Sequence, residues 1–196
     1  MSKIRLTPNA SGTGTVTLTV PSTSTDRTIT LPDTTGTLLD TSGQMWDLWR
    51  LSANFTVTGN NLAAATTVTG WERNDNSGFA RIGTGLTESS GIFTFPSTGI
   101  YMIRSNGVFG AVANNYQTVI IETTTDNSTY TEQALGHCWN NTSDYASGTC
   151  EHMFDVTDTS LCKFQIKALR DYANQQLLGN TNITYTYVLV QRLGDT

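Results

Sequence analysis

Two histidines, His137 and His152, and three cysteines, Cys138, Cys150 and Cys162, are the residues of this 196-residue chain best equipped for acid–base, nucleophilic or metal chemistry. The cysteines recur every 12 residues. A thiolate metal site needs closer CxxC-type pairs, so that two sulfurs reach one ion. Register offers another account. Cys162 alternates with Phe164, Ile166 and Ala168, and Cys150 with Phe154 and Val156. A free cysteine packs on such a face as a small hydrophobe. Buried thiols are the favoured reading, and a Cys138–Cys150 bridge across the intervening turn is the other arrangement. His152 shares the register of Cys150 and Phe154, a packed strand position rather than that of a base.

Other catalytic patterns are missing. No GxSxG elbow presents a serine. GTGTVT at 12–17 is followed by neither GK[ST] nor a helix, as a phosphate loop requires. The acidic residues lack the DxDxDG spacing of a calcium loop. Asp126, Asp144, Asp155 and Asp158 lie in or beside turns, where a short carboxylate caps backbone amides. A glycan-cleaving enzyme needs paired carboxylates across a cleft, and no spacing nominates a pair. The sequence reads as a non-enzyme without cofactor or metal.

Composition limits the partners. The net charge is −5 and no basic run occurs, a poor match for nucleic acid or an anionic membrane. MSKIRLTPNA has cations but no apolar stretch behind them, so no export signal is expected, and the NNT and NIT triplets at 140–142 and 182–184 carry no glycosylation argument.

The elements that carry these residues are strands. Thr and Ser make up about a quarter of the chain, well above ordinary usage, and only 14% of residues are charged. Threonine's branched Cβ suits a pleated surface, while helix formers are scarce. From residue 45 onward, strand patterns recur with turn chemistry between them. They include NFTVTG, FARIG, SGIFTF, IYMIRSNGVFGA with a bulge or turn at Asn106–Gly107, and YQTVIIETT with a turn at Asp126–Asn127. GTCEHMFDV and CKFQIKAL follow, joined by a turn at Thr157–Thr159, and NITYTYVLVQRL closes the chain. ALRDYANQQLL is the one helix-like stretch. Without crossover helices the sheet must be antiparallel, and the expected class is all-β, a sandwich or barrel.

Two segments are implied, 1–44 and 45–196. The first has no aromatic residue and no Met between Ser2 and Gln44. It carries two short alternating patterns, Val16, Leu18 and Val20, then Ile29 and Leu31. Two strands without a core are unstable alone, so these residues are expected to pair with another chain through their main-chain edges. The second segment is a globular head. In its last strand both faces are substantial, with Ile183, Tyr185, Tyr187 and Leu189 opposite Thr184, Thr186, Val188 and Val190. One face would meet the sandwich core and the other a neighbouring subunit, or, in the other reading, a covering loop.

The head resembles the C1q/TNF-like jelly roll over about residues 46–194. The resemblance is carried by GIFTFPSTGIYMIRSNGVF, by FDVTDTSLCKFQIKAL and by the closing YTYVLVQRL. Thr157–Asp158–Thr159 stands where that family has a Gly-Asp turn. The resemblance implies a homotrimer, with Tyr101, Tyr185, Tyr187 and Leu189 at the interface. Some heads of the family hold an axial calcium; none is expected here. ASGTGTVTLTVPSTSTDRTITLPDTTGTLL at 10–39 resembles a segment near the N-termini and in the shafts of bacteriophage fibre and virion-surface proteins. Together the two resemblances imply a virion-surface protein made in the host cytoplasm. It would be a trimeric decoration or cement protein whose arm binds another virion protein, above all the major capsid protein. The second reading is a short tail-fibre head that contacts a host-surface glycan or protein. Tyr116 with Asn114–Asn115 and Trp139 with Asn140–Asn141 are its candidate contacts.

Overall fold

The computed structural model describes Ser24 and residues 43–110, 115–140, 144–171 and 175–196. Apart from Ser24 these belong to one unit, Asp40–Thr196. The arm residues Val16, Leu18, Val20, Ile29 and Leu31 lie outside the described residues.

Among the described residues the head has thirteen strands: β1 (Met45–Leu51), β2 (Phe55–Thr56), β3 (Thr66–Thr67), β4 (Trp71–Arg73), β5 (Thr87–Ser89), β6 (Ile92–Thr94), β7 (Gly99–Phe109), β8 (Asn115–Thr124), β9 (Thr131–Asn140), β10 (Ala146–Val156), β11 (Lys163–Arg170), β12 (Gln176–Leu177) and β13 (Tyr187–Gly194). A 3-10 turn spans Leu62–Ala64. The strands form two antiparallel sheets. The seven-stranded sheet is built on β7, flanked by β10 on one side and by β13 and β12 on the other, with β1 and β4 beyond β13 and β2 beyond β12. The six-stranded sheet runs β5-β6-β11-β8-β9, with β3 also on β11.

Period-two alternation selects the core. Tyr101, Ile103, Ser105, Gly107 and Phe109 of β7 point inward, as do Val188 and Val190 of β13. Aromatic rings fill the interior. Phe93 stacks on Phe164 with centroids 4.7 Å apart and planes 7° apart, and Trp49 and Trp71 meet Phe93 edge-on. Such offset and edge contacts satisfy the ring quadrupoles while removing large apolar areas from water.

Two side-chain clusters anchor β1. The buried Asp47 carboxylate accepts from Trp49 Nε1 (3.0 Å), the Leu86 amide (2.8 Å) and both Nε and Nη2 of Arg73 (3.0 Å each). Fully buried Arg50 donates to Glu72, Asn74, Asp75 and the Thr181 carbonyl. These bonds tie β4 and the loop ahead of β13 onto β1. At the open side of the sandwich β9 and β10 cross so closely that a Cβ on Gly136 would lie 2.5 Å from the Thr149 carbonyl oxygen, and one on Gly148 2.5 Å from that of Gly136. Only glycine permits this approach of the two sheets.

Several sequence expectations need correction. The closing strand starts at Tyr187, not Asn182, because Asn180 Oδ1 accepts from the amides of Asn182 and Ile183 and turns the chain there. FARIG contributes only the single bridge Ile82–Trp46. Asn106–Gly107 neither bulges nor turns: β7 runs through it, and Gly107 leaves room for Leu177 and Val119. Within ALRDYANQQLL, Ala168–Arg170 end β11 and Gln176–Leu177 form β12. Asp126–Asn127 does turn, with Asn127 at φ 58°.

Candidate functional site

The outer side of the seven-stranded sheet is the first candidate. Cross-strand register sets its rows: Trp46–Gln191–Met102–Met153, then Leu48–Leu189–Arg104–Glu151, then Arg50–Tyr187–Asn106–Thr149. Tyr187 and Leu189 are half-buried here, and Trp46 and Met153 are 42% and 56% exposed. In the middle row Arg104 Nε donates to Glu151 at 2.7 Å. The face thus combines apolar side chains, Trp46, Leu48, Leu189, Tyr187, Met102 and Met153, with two internally paired charge couples, Arg104–Glu151 and Arg50–Glu72, a pattern that suits burial against another protein surface. Tyr185 precedes β13, is 38% exposed, and accepts at its carbonyl from Asn106 Nδ2.

Tyr101 is a correction. It is fully buried between the sheets, packs on Phe95 at 4.6 Å and donates its hydroxyl to the Ser97 carbonyl. Both faces of β7 carry large apolar residues, Tyr101, Ile103 and Phe109 on one and Ile100, Met102 and Val108 on the other, so alternation of the apolar residues does not by itself say which turns outward. Trp46, Leu48, Met102 and Met153, which sequence reasoning did not select, share the face of Tyr187 and Leu189.

The second candidate is a groove of about 500 Å³ on the outer side of the six-stranded sheet. Tyr116 of β8 and Trp139 of β9 are direct cross-strand partners there, 37% and 64% exposed. The Tyr116 hydroxyl lies 2.8 Å from His137 Nδ1, which also meets the Thr118 hydroxyl at 2.8 Å. The Tyr116 and His137 rings lie 5.0 Å apart, so the tyrosine is held from below. The opposite wall is the segment carrying Asn60, Asn61 and Leu62. It is fixed over the end of β11 because the Arg170 amide donates to Gly59 O and Arg170 Nε to Val57 O. Asn61 caps the 3-10 turn by accepting from the Ala64 amide at 3.0 Å. Asp171 closes the end, its amide bonded to the Tyr116 carbonyl. Asn140 does not join the groove: it is buried and donates to Gly110 O. Asn114 and Asn141 lie outside the described residues, as does the side chain of Asn115. Sequence reasoning missed Asn60, Asn61, Leu62 and Asp171, whose only link to the aromatics is tertiary.

The chemically suggestive residues have structural occupations. The three cysteines are free thiols. Burial pushes Cys138 up to about 11 and Cys150 up to about 12, so both are protonated, weak nucleophiles. Burial lowers the His152 pKa. Asp126 borders a smaller hollow, but its carboxylate accepts from the Ser128 and Thr129 amides and the Thr124 hydroxyl, which holds its pKa far below the usual range. Glu122 is engaged by Gln165 and Lys167. Among the described residues no three His, Cys, Asp or Glu side chains gather as a metal site would require.

No protein-family model and no curated protein matches the sequence. Solved structures do match. Murine APRIL at pH 5.0 superposes with TM-score 0.55 at 15% identity, covering 76% of this chain and 99% of its own. Eiger TNF from S. frugiperda superposes with TM-score 0.57 at 8% identity, covering 78% and 94%. At such identities the likeness speaks for the fold alone, and with two antiparallel sheets and this strand order the head is a TNF-like jelly roll.

Proposed function

We propose that the chain is a non-catalytic structural protein of a bacteriophage virion surface. Its jelly-roll heads associate as a homotrimer through the outer side of the seven-stranded sheet, and residues 1–44 tie the trimer to the major capsid protein as a decoration or cement. The observation that carries this reading is that outer face, which gathers Trp46, Leu48, Leu189, Tyr187, Met102 and Met153 and satisfies its charges internally as Arg104–Glu151 and Arg50–Glu72. A closed symmetric assembly buries such a face on every copy and leaves none open to further addition. A non-enzymatic role is supported by the hydrogen bonds that occupy Asp47, Asp126, Glu122 and Glu72. The phage assignment rests on the sequence resemblance of residues 10–39.

Deleting residues 1–43 tests the arrangement. The truncated chain should keep the three-protomer stoichiometry and lose its place on particles that lack the native protein. Normal occupancy by the truncated head would place attachment on the jelly roll instead. A short tail-fibre head is the second reading, favoured by the Tyr116–Trp139 groove. Quantitative mass spectrometry of purified particles separates the two: a copy number in proportion to the capsid lattice supports decoration, and one in proportion to the tail supports a fibre.

A further inference from the structure

The groove on the six-stranded sheet lies on the far side of the sandwich from the proposed trimer face, so its occupant does not compete with assembly. We infer that it is a binding site for a neutral carbohydrate, with a pyranose ring stacked on Trp139. The inference does not rest on a virion role.

Three observations converge. First, Trp139 is the most exposed tryptophan of the head at 64%, although indole is costly to leave in water. Its neighbour across the ladder, Tyr116, is also open and cannot rotate freely because its hydroxyl is held at His137 Nδ1. Trp139 and the oriented Tyr116 beside it form a two-ring platform rather than a scattered surface residue. Such a platform receives a flat apolar face of limited size at low entropic cost. A pyranose offers that face as its axial C–H groups.

Second, the rim supplies hydrogen-bonding groups of both kinds. The Trp139 Nε1 donor and the Asp171 carboxylate make no hydrogen bond among the described residues, and Asn60 holds amide functions at the opposite wall. Sugar hydroxyls donate and accept, so they can meet donor and carboxylate together. An apolar peptide side chain would leave these groups unpaired, at a cost.

Third, the charges select the class. The groove contains one carboxylate, Asp171, and one guanidinium, Arg170, whose Nε is already spent on the Val57 carbonyl at 2.6 Å. The local sum is zero and the whole chain is at −5. An anionic polysaccharide or a nucleic acid strand would find neither a local nor a global positive field. The volume of about 500 Å³ lies within the range of small-ligand sites.

The test is calorimetric titration of the full chain with maltohexaose, cellohexaose and hexa-N-acetylchitohexaose, repeated on Trp139→Ala and Asp171→Asn. One stacked ring and a few solvent-facing hydrogen bonds predict saturable binding with Kd on the order of 1 mM to at least one probe. Trp139→Ala should weaken it at least about tenfold, and Asp171→Asn by a smaller factor, with unchanged melting temperature for both surface changes. Polygalacturonate and poly(U) are run alongside and should not bind. Absence of binding to all three neutral probes, equal binding by Trp139→Ala, or preference for either polyanion overturns the inference. None of these outcomes bears on trimer mass or particle occupancy, so the two proposals fail separately.

Discussion

Leu189 lies directly opposite Arg104 across the β13–β7 ladder, and Arg104 turns away from it to donate to Glu151 on β10 at 2.7 Å. The Arg104 charge on the outer face is thereby satisfied within the sheet, beside the apolar Leu48 and Leu189. A lysine at 189 would set two cations opposite each other and place an unpaired charge on the face. Leu189→Lys should reduce the full chain from three protomer masses to one by light scattering, while far-UV circular dichroism stays unchanged because the residue faces away from the core. A wild-type chain that runs as a monodisperse monomer at micromolar concentration would end the trimer reading outright.

Asp47 predicts a large stability loss. It satisfies the Trp49 indole, the Leu86 amide and the Arg73 guanidinium at once. Asp47→Ala strands three donors, one of them charged and partly buried. The expected cost is about 3 kcal/mol, read from denaturant unfolding. Asp47→Asn, which keeps the shape and part of the hydrogen bonding, should cost less.

The crossing of β9 and β10 gives a steric prediction. Neither Gly136 nor Gly148 has a flexible side chain against it; the clashing atoms are backbone. Gly136→Ala should therefore destabilise the head by about 2 kcal/mol, an overpacking cost that repacking of side chains cannot relieve. Gly70→Ala is a control of another kind: nothing lies within 4 Å of a Cβ there, and any cost reports its φ of 85° alone.

Cys150 supplies a pH dependence. Its folded pKa, about 12, lies above the ordinary 9.0 because burial disfavours the thiolate. The unfolded chain loses this proton first as pH rises. The contribution to stability is complete below pH 9.0, declines between there and about 12, and is absent from Cys150→Ala. Unfolding midpoints measured at about pH 8 and about pH 10.5 should differ less for Cys150→Ala than for wild type. At the lower pH Cys150 should react with a thiol reagent only as fast as the head opens.

Much of the head was legible from residue order because it depends on local rules. Threonine and β-branched residues at period two, with Gly, Asn and Asp between, dictate strands and turns whatever their neighbours. Val188 and Val190 against Tyr187 and Leu189 could be sorted to opposite faces on that basis, and Cys150 and Cys162 placed among apolar side chains. The sequence determined an all-β, low-charge chain whose aromatic residues begin at residue 46. Only the tertiary structure decided which face of each strand is the inside. Tyr101 and Ile103 turn in while Ile100 and Met102 turn out, because β7 must face the aromatic stack of Phe93, Phe95 and Phe164. It alone also set register, which makes Tyr116 and Trp139 partners, and loop placement, which carries Asn60 to Asp171. Alternation is a property of one strand, whereas a face, a register and a groove belong to several segments far apart in the chain, joined by bonds such as Arg170 to Val57 that no local pattern encodes.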